Sequence, residues 1–152
     1  MVEPLPKVSV LFLCTGNSAR SQIAEAILRQ LSLNQIEVYS AGSVPQPAVH
    51  AMAKAVLESK YGIDTTDLHP KSMDRFLDRR FDYVITVCDR AAETCPVFPG
   101  DPQRIHWSFA DPAAVRDETE QRRAFEHVAT GLAGRLRLWL SLPEVSRRLT
   151  KS

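Results

Sequence analysis

The residues best suited to chemistry in this chain gather in one short stretch, FLCTGNSARS, at residues 12–21. An apolar run ends on Cys14; Thr15, Gly16, Asn17, Ser18 and Ala19 follow, and then come Arg20 and Ser21. Small residues around Gly16 let successive backbone N–H groups turn inward, and a helix starting near Arg20 adds its positive end. Arg20 contributes a planar, permanently charged fork that matches a tetrahedral oxyanion. The same field favours a thiolate at Cys14 and is expected to lower its pKa. So the stretch reads as a loop that holds a tetrahedral oxyanion over a sulfur nucleophile. A nucleotide P-loop is excluded because the Gly-Lys-Ser/Thr ending is missing, and no dinucleotide fingerprint is present. A buried cysteine that merely ends a core strand is the bland alternative, since free cysteine packs as a small apolar residue.

Two further cysteines, Cys88 and Cys95, complete the set of three. An odd count rules out a fully paired framework, and no Cys-x-x-Cys pair suggests structural zinc. The elements that must position these groups are legible in outline. KVSVLFLC and FDYVITVC are nearly continuous β-branched and aliphatic runs, as in strands buried on both faces, and each ends on a cysteine. IEVYSAG and RIHWSF read as shorter strands. Helical spacing covers RSQIAEAILRQL, then about residues 47–61, then a long closing stretch with a capping-box spacing at Asp117 and Glu120. Gly131 and Gly134 inside that last helix suggest close packing against the sheet. Alternating strands and helices imply an α/β fold, a three-layer α/β/α sandwich with a four-stranded parallel sheet. In such sheets ligands lie beyond the carboxyl ends of the strands. Cys14, Cys88 and Asp111 each fall there, after different strands.

At 152 residues and a net charge of +1, the chain reads as one domain with an ordered core over about residues 7–142. That charge gives no reason to expect nucleic acid, and no apolar run suits a signal peptide or a membrane span. A cytoplasmic monomer is expected. Pro4, Pro6 and the basic tail SRRLTKS read as loose ends. None of the four histidines shows a metal-binding or Cys-His pattern, and His106 and Trp107 read as strand packing.

CTGNSARSQIAEA, VYSAG, VITVCDRAAETCP and HWSFADPA together resemble the arsenate reductases built on the low-molecular-weight protein tyrosine phosphatase fold, the thioredoxin-coupled kind. The likeness runs from about residue 7 to 140. It implies that residues 15–21 bind the oxyanion and that Cys14 attacks it, while Asp111 protonates the leaving oxygen. It further implies a relay. Cys88 attacks Cys14 as arsenite leaves, and Cys95 then attacks Cys88, leaving a Cys88–Cys95 disulfide for thioredoxin. No metal or bound cofactor is expected, only an external thiol reductant, and phosphate or sulfate should compete for the loop. Two other readings share the loop: a phosphoester hydrolase, and a non-catalytic oxyanion-binding regulatory module. Against the hydrolase, the phosphatases follow the matching aspartate with proline and tyrosine, whereas this chain has DPAAV.

Spacing adds a geometric expectation. Seven helical residues at about 1.5 Å each would part Cys88 and Cys95 by about 10 Å on one helix face. A disulfide tolerates about 7 Å between Cα atoms, so the segment must unwind on oxidation. Pro96 disfavours helix at Cys95 and eases that step. Asn17 is expected to brace the loop, and Ser21 to donate to the Cys14 thiolate. Some relatives hold a potassium ion through side chains matching Asn17, Glu25, Ser40 and an aspartate. Lys71 aligns with that aspartate, which suggests an ammonium in the ion's place.

Overall fold

A computed structural model describes residues 7–149, so Pro4, Pro6 and the last residues of the basic tail lie outside the described chain. Four parallel strands form the sheet in the order β2-β1-β3-β4: β1 Val8–Cys14, β2 Ile36–Gly42, β3 Tyr83–Thr86 and β4 Gln103–His106. β1 lies inside the sheet, which is why six of its seven side chains are apolar and buried and only Ser9 is partly exposed. Register pairs Cys14 with Gly42 on one side and Leu13 with Thr86 on the other.

Side-chain alternation sorts the two faces. Ser40 hydrogen bonds to Glu25 of α1 (Arg20–Leu31), so its face lies under that helix. α4 (Glu118–Leu140) and α2 (Ala51–Tyr61) pack beside α1, and Trp139 of α4 meets Tyr83 edge-on at 5.0 Å. Tyr39 points to the opposite face and joins Phe76, Phe81 and Phe98 in a chain of edge and tilted ring contacts. That layer also carries a 3-10 turn, Met73–Phe76, and the short helix α3 (Asp89–Glu93). The expected three-layer α/β/α sandwich with a four-stranded parallel sheet is the observed one.

Several boundaries differ from the sequence reading. α2 begins at Ala51, not near residue 47, because the His50 ring accepts the Met52 N–H and caps the helix there. The preceding segment is extended and spends its amides elsewhere, as described below. β4 stops at His106, although the Trp107 N–H still reaches the Thr86 carbonyl at 2.9 Å. The capping box forms: Asp117 accepts the Glu120 N–H at 3.0 Å. The packed chain does not end near residue 142. Helix α5 (Pro143–Ser146) follows, Val145 is fully buried, and Arg148 pairs with Asp82 at 3.0 Å. The first part of SRRLTKS is therefore anchored by an apolar plug and an ion pair.

Candidate active site

The turn from β1 into α1 is shaped by what crosses it. Val44, Gln46 and His50 donate their backbone N–H groups to the carbonyls of Thr15, Gly16 and Ser18 at 2.8–2.9 Å. With those carbonyls taken up, the loop bounds a cavity of about 470 Å³ lined by Cys14, residues of the loop and Arg20. Ala19, at the start of α1, offers no side-chain cap, and the first turn carries no acidic residue. The orphan amides and the positive end of a twelve-residue helix are thus free to serve an anion. Gly42 must be glycine for this crossing, since a Cβ there would stand 2.4 Å from the Thr15 carbonyl oxygen.

Asn17 braces the loop as expected, with a left-handed backbone (φ 49°) and a fully buried side chain. Its Nδ2 donates to Ser21 Oγ and Ser40 Oγ at 2.7 and 3.0 Å, and its Oδ1 accepts from the Lys71 N–H at 2.8 Å. Ser21 Oγ thus accepts from Asn17, which leaves the hydroxyl's own hydrogen available as a donor. Arg20 is held through Nη1 by the Phe109 carbonyl at 2.8 Å, while its buried Nε has no protein partner. That leaves a donor on a fixed guanidinium beside the cavity. Asp111 lies at the mouth, exposed, accepting the Ala113 N–H at 3.0 Å.

Cys14 and Cys88 meet by their side chains, close enough for each thiol to shift the other's titration. Cys88 caps α3, where Sγ accepts the Ala91 N–H at 3.4 Å and lies 3.5 Å from the Thr15 hydroxyl. Donation to Cys88 pushes the Cys14 thiol up, burial adds to this, and Arg20 pulls the other way. Cys88 is held down to about 5, first by the Cys14 hydrogen bond, with Thr15 and the Ala91 amide assisting against burial. Hence the expected lowering of the Cys14 pKa is not found. Within the pair the shifts run in opposite directions, Cys14 up and Cys88 down, and the Thr15 hydroxyl and the Ala91 amide both favour charge on Cys88.

Cys95 sits apart from this cavity. It follows the Thr94 C-cap of α3 and lines a separate cavity of about 150 Å³ with Ala92, Arg104 and Ile105. Burial pushes its thiol up, with Arg104 pulling down. Since Cys88 is the cap and Cys95 lies beyond the helix, the two thiols do not share a helix face as their spacing suggested. Nor is His106 simple strand packing: its ring spans from Thr86 Oγ1 (2.7 Å) to Asp89 Oδ1 (2.9 Å). Trp107 is buried packing, as read. Arg90, at the cavity mouth, escaped the sequence reading; its position two residues after Cys88 was the available signal. Among the described residues, no group of three or more His, Cys, Asp or Glu side chains could hold a metal ion.

A family model for the low molecular weight phosphotyrosine protein phosphatases matches residues 9–151. An arsenate reductase of Halalkalibacterium halodurans is 36% identical over 132 residues, covering 86% of this chain and 94% of that protein. The Bacillus subtilis arsenate reductase is 36% identical, covering 84% of this chain and 91% of its own. The chain belongs to the arsenate reductases of this phosphatase family. A thioredoxin-dependent arsenate reductase of Corynebacterium glutamicum superposes with a TM-score of 0.69 at 33% identity, over 90% of this chain and 62% of that one. A solved arsenate reductase in its phosphate-binding state gives 0.70 at 27% identity, over 88% and 97%.

Against that family, the potassium position can be judged. Lys71 Nζ stands 3.6 Å from Glu25 Oε1 and donates to the His69 carbonyl at 2.9 Å, within the Asn17–Ser40–Glu25 network. Burial lowers the Lys71 pKa while Glu25 raises it. These residues do not fit a potassium ion, because an ammonium already faces the carboxylate. No described helix is long and apolar enough to cross a membrane.

Proposed function

We propose that this chain reduces arsenate to arsenite with Cys14 as nucleophile and Cys88 and Cys95 as the electron-supplying pair. The observation that carries the reading is the juxtaposition of the Cys14 and Cys88 thiols at the edge of the anion loop. Hydrolysis needs no second thiol touching the nucleophile; reduction does. The amides of the loop and Arg20 hold arsenate. As Cys14 attacks arsenic, its proton passes to the Cys88 thiolate, and Asp111 protonates the oxygen that leaves as water. Cys88 then attacks Cys14. The arsenic–sulfur electron pair goes to arsenic, which leaves as arsenite with the Cys88 proton. Cys95 attacks Cys88 and returns a proton to Cys14. In total two thiols and arsenate become a disulfide, arsenite and water.

Recharging that disulfide takes two electrons from an external dithiol. Thioredoxin is the proposed donor, supported by the likeness to a thioredoxin-dependent arsenate reductase. A steady supply of reduced donor fits the cytoplasm. Every residue invoked comes from one chain, so one domain acting as a monomer suffices. Phosphate and sulfate are tetrahedral anions of similar shape and compete for the loop. A phosphotyrosine hydrolase is less well supported, because Ala113 lines the cavity beside Asp111 and, among the described residues, the lining includes no phenylalanine, tyrosine or tryptophan ring.

The deciding experiment counts free thiols on reduced protein before and after anaerobic incubation with arsenate. Three should fall to one, with no change under phosphate. Retention of all three while a phosphoester is hydrolysed would make the chain a phosphatase. Retention of all three with anion binding but no turnover would make it a regulatory binding module.

A further inference from the structure

Two side chains of the edge strand β4 grip the two ends of the Cys88–Cys95 segment. His106 Nε2 lies 2.9 Å from Asp89 Oδ1, on the residue directly after Cys88. Its other ring nitrogen is fixed at 2.7 Å by Thr86 Oγ1 on the neighbouring strand. Arg104 Nη2 donates to the carbonyl of Pro96, directly after Cys95, at 2.8 Å. Arg104 and His106 are two residues apart, so strand alternation puts them on the same face of β4. The segment between the grips contains α3 and closes over the cavity that Cys95 lines.

Forming a Cys88–Cys95 disulfide must disturb this arrangement. Cys88 caps α3 and Cys95 lies past its end. Cys88 Sγ is held at the Ala91 N–H and the Thr15 hydroxyl, while Cys95 lines a separate cavity with Arg104 and Ile105, so a bridge forms only if one of them leaves its place. If the Cys88 end unwinds, Asp89 leaves His106. If Cys95 leaves its cavity, the Pro96 carbonyl leaves Arg104. Either route costs contacts that belong to the dithiol form.

We infer that Arg104 and His106 are positioning residues, a clasp that stabilises the reduced Cys88–Cys95 segment and so sets how readily it converts to the disulfide. This rests on the relay proposed above. The clasp keeps the segment folded with Cys88 against Cys14, and it makes the disulfide a stronger oxidant that the external dithiol reduces more easily.

The test equilibrates the full chain, in a Cys14→Ser background so that one intramolecular disulfide can form, with mixtures of reduced and oxidised glutathione. Oxidation of the two thiols to the disulfide converts one oxidised glutathione to two reduced molecules. Peptide mapping quantifies the Cys88–Cys95 bond. The double variant Arg104→Ala/His106→Ala should favour the disulfide about tenfold more than its parent, a potential about 30 mV more negative. His106→Gln and Arg104→Lys, which retain a donor, should restore most of the difference, and loss of bulk alone would not predict that rescue. Backbone amides of residues 89–95 in the reduced double variant should exchange faster than in the parent. An unchanged potential, with the disulfide forming normally, would overturn the clasp and leave the relay standing. Failure of the parent to form a Cys88–Cys95 disulfide at any glutathione ratio would overturn both.

Discussion

The opposed shifts of the neighbouring Cys14 and Cys88 thiols give the site its clearest pH signature. Cys88 is held down to about 5 from an ordinary 9.0 by donation from Cys14, Thr15 and the Ala91 amide, so its charge persists across the neutral range. Unfolding takes up a proton at Cys88. The stability its charge contributes is full near pH 9 and is lost as pH falls through about 5. Cys14 has the opposite shift and costs stability above about pH 9. Iodoacetamide at pH 6, mapped by peptide, should therefore label Cys88 ahead of Cys14. Replacing Cys14 by alanine removes the main donor and should raise the Cys88 titration midpoint by about one unit or more. Preferential labelling of Cys14 at pH 6 would show the charge on the other sulfur. The half-buried ammonium of Lys71 gives a second expectation. With Glu25 already facing a cation, exchanging sodium for potassium should alter turnover by less than about twofold. A several-fold rise with potassium would contradict it.

α4 carries a matched pair of glycines that separates packing from propensity. A Cβ on Gly131 would sit 2.9 Å from a ring carbon of Phe109, whose carbonyl holds Arg20. A Cβ on Gly134 would meet nothing within 4 Å. Gly134→Ala should then stabilise the protein by about 0.5–1 kcal/mol through helix propensity alone. Gly131→Ala gains the same propensity but displaces Phe109, and overpacking of this kind costs about 1–3 kcal/mol. Thermal melts should move in opposite directions, and phosphate affinity should weaken only in Gly131→Ala. If both variants rise in melting temperature with phosphate binding intact, Phe109 yields without disturbing Arg20. This pair also marks how far element-level reading reaches. Strand β1 and the Asp117 cap were legible because burial on both faces and a local hydrogen bond leave periodic or short-range traces. FDYVITVC, by contrast, pairs only over Tyr83–Thr86, and Cys88 turns out to cap α3. Two glycines in one helix look alike until a partner from another segment is placed beside them. His106 was misread for the same reason, since Asp89 and Thr86 reach it only through the β3–β4 pairing.

At the scale of the whole molecule, the anion loop is a tertiary construction on a local motif. Residues 12–21 read in the sequence as an oxyanion site, but the donors that turn the loop come from residues 44–50, the brace from Ser40 and Lys71, and the Arg20 anchor from Phe109 after the last strand. None of those partners has a sequence signature, because each depends on where β2, β1 and β4 lie in the sheet. A loop held from so many elements should report its ligand to the entire fold. An anion that binds only the folded chain stabilises it by about 2.7 kcal/mol at a hundred times its dissociation constant. Phosphate, sulfate and arsenate should each raise the melting temperature of a Cys88→Ser/Cys95→Ser variant, in which the relay cannot run, with the shift saturating as the site fills. Arg20→Ala removes both the guanidinium and its bond to Phe109, so its melt should no longer respond to the same anions. Arg20→Lys keeps the charge without the fork, and its response should be weaker than that of the Arg20 parent. A melt of Arg20→Ala that still rises and saturates with phosphate would place the anion elsewhere, and the cavity over Cys14 would lose its claim to the substrate.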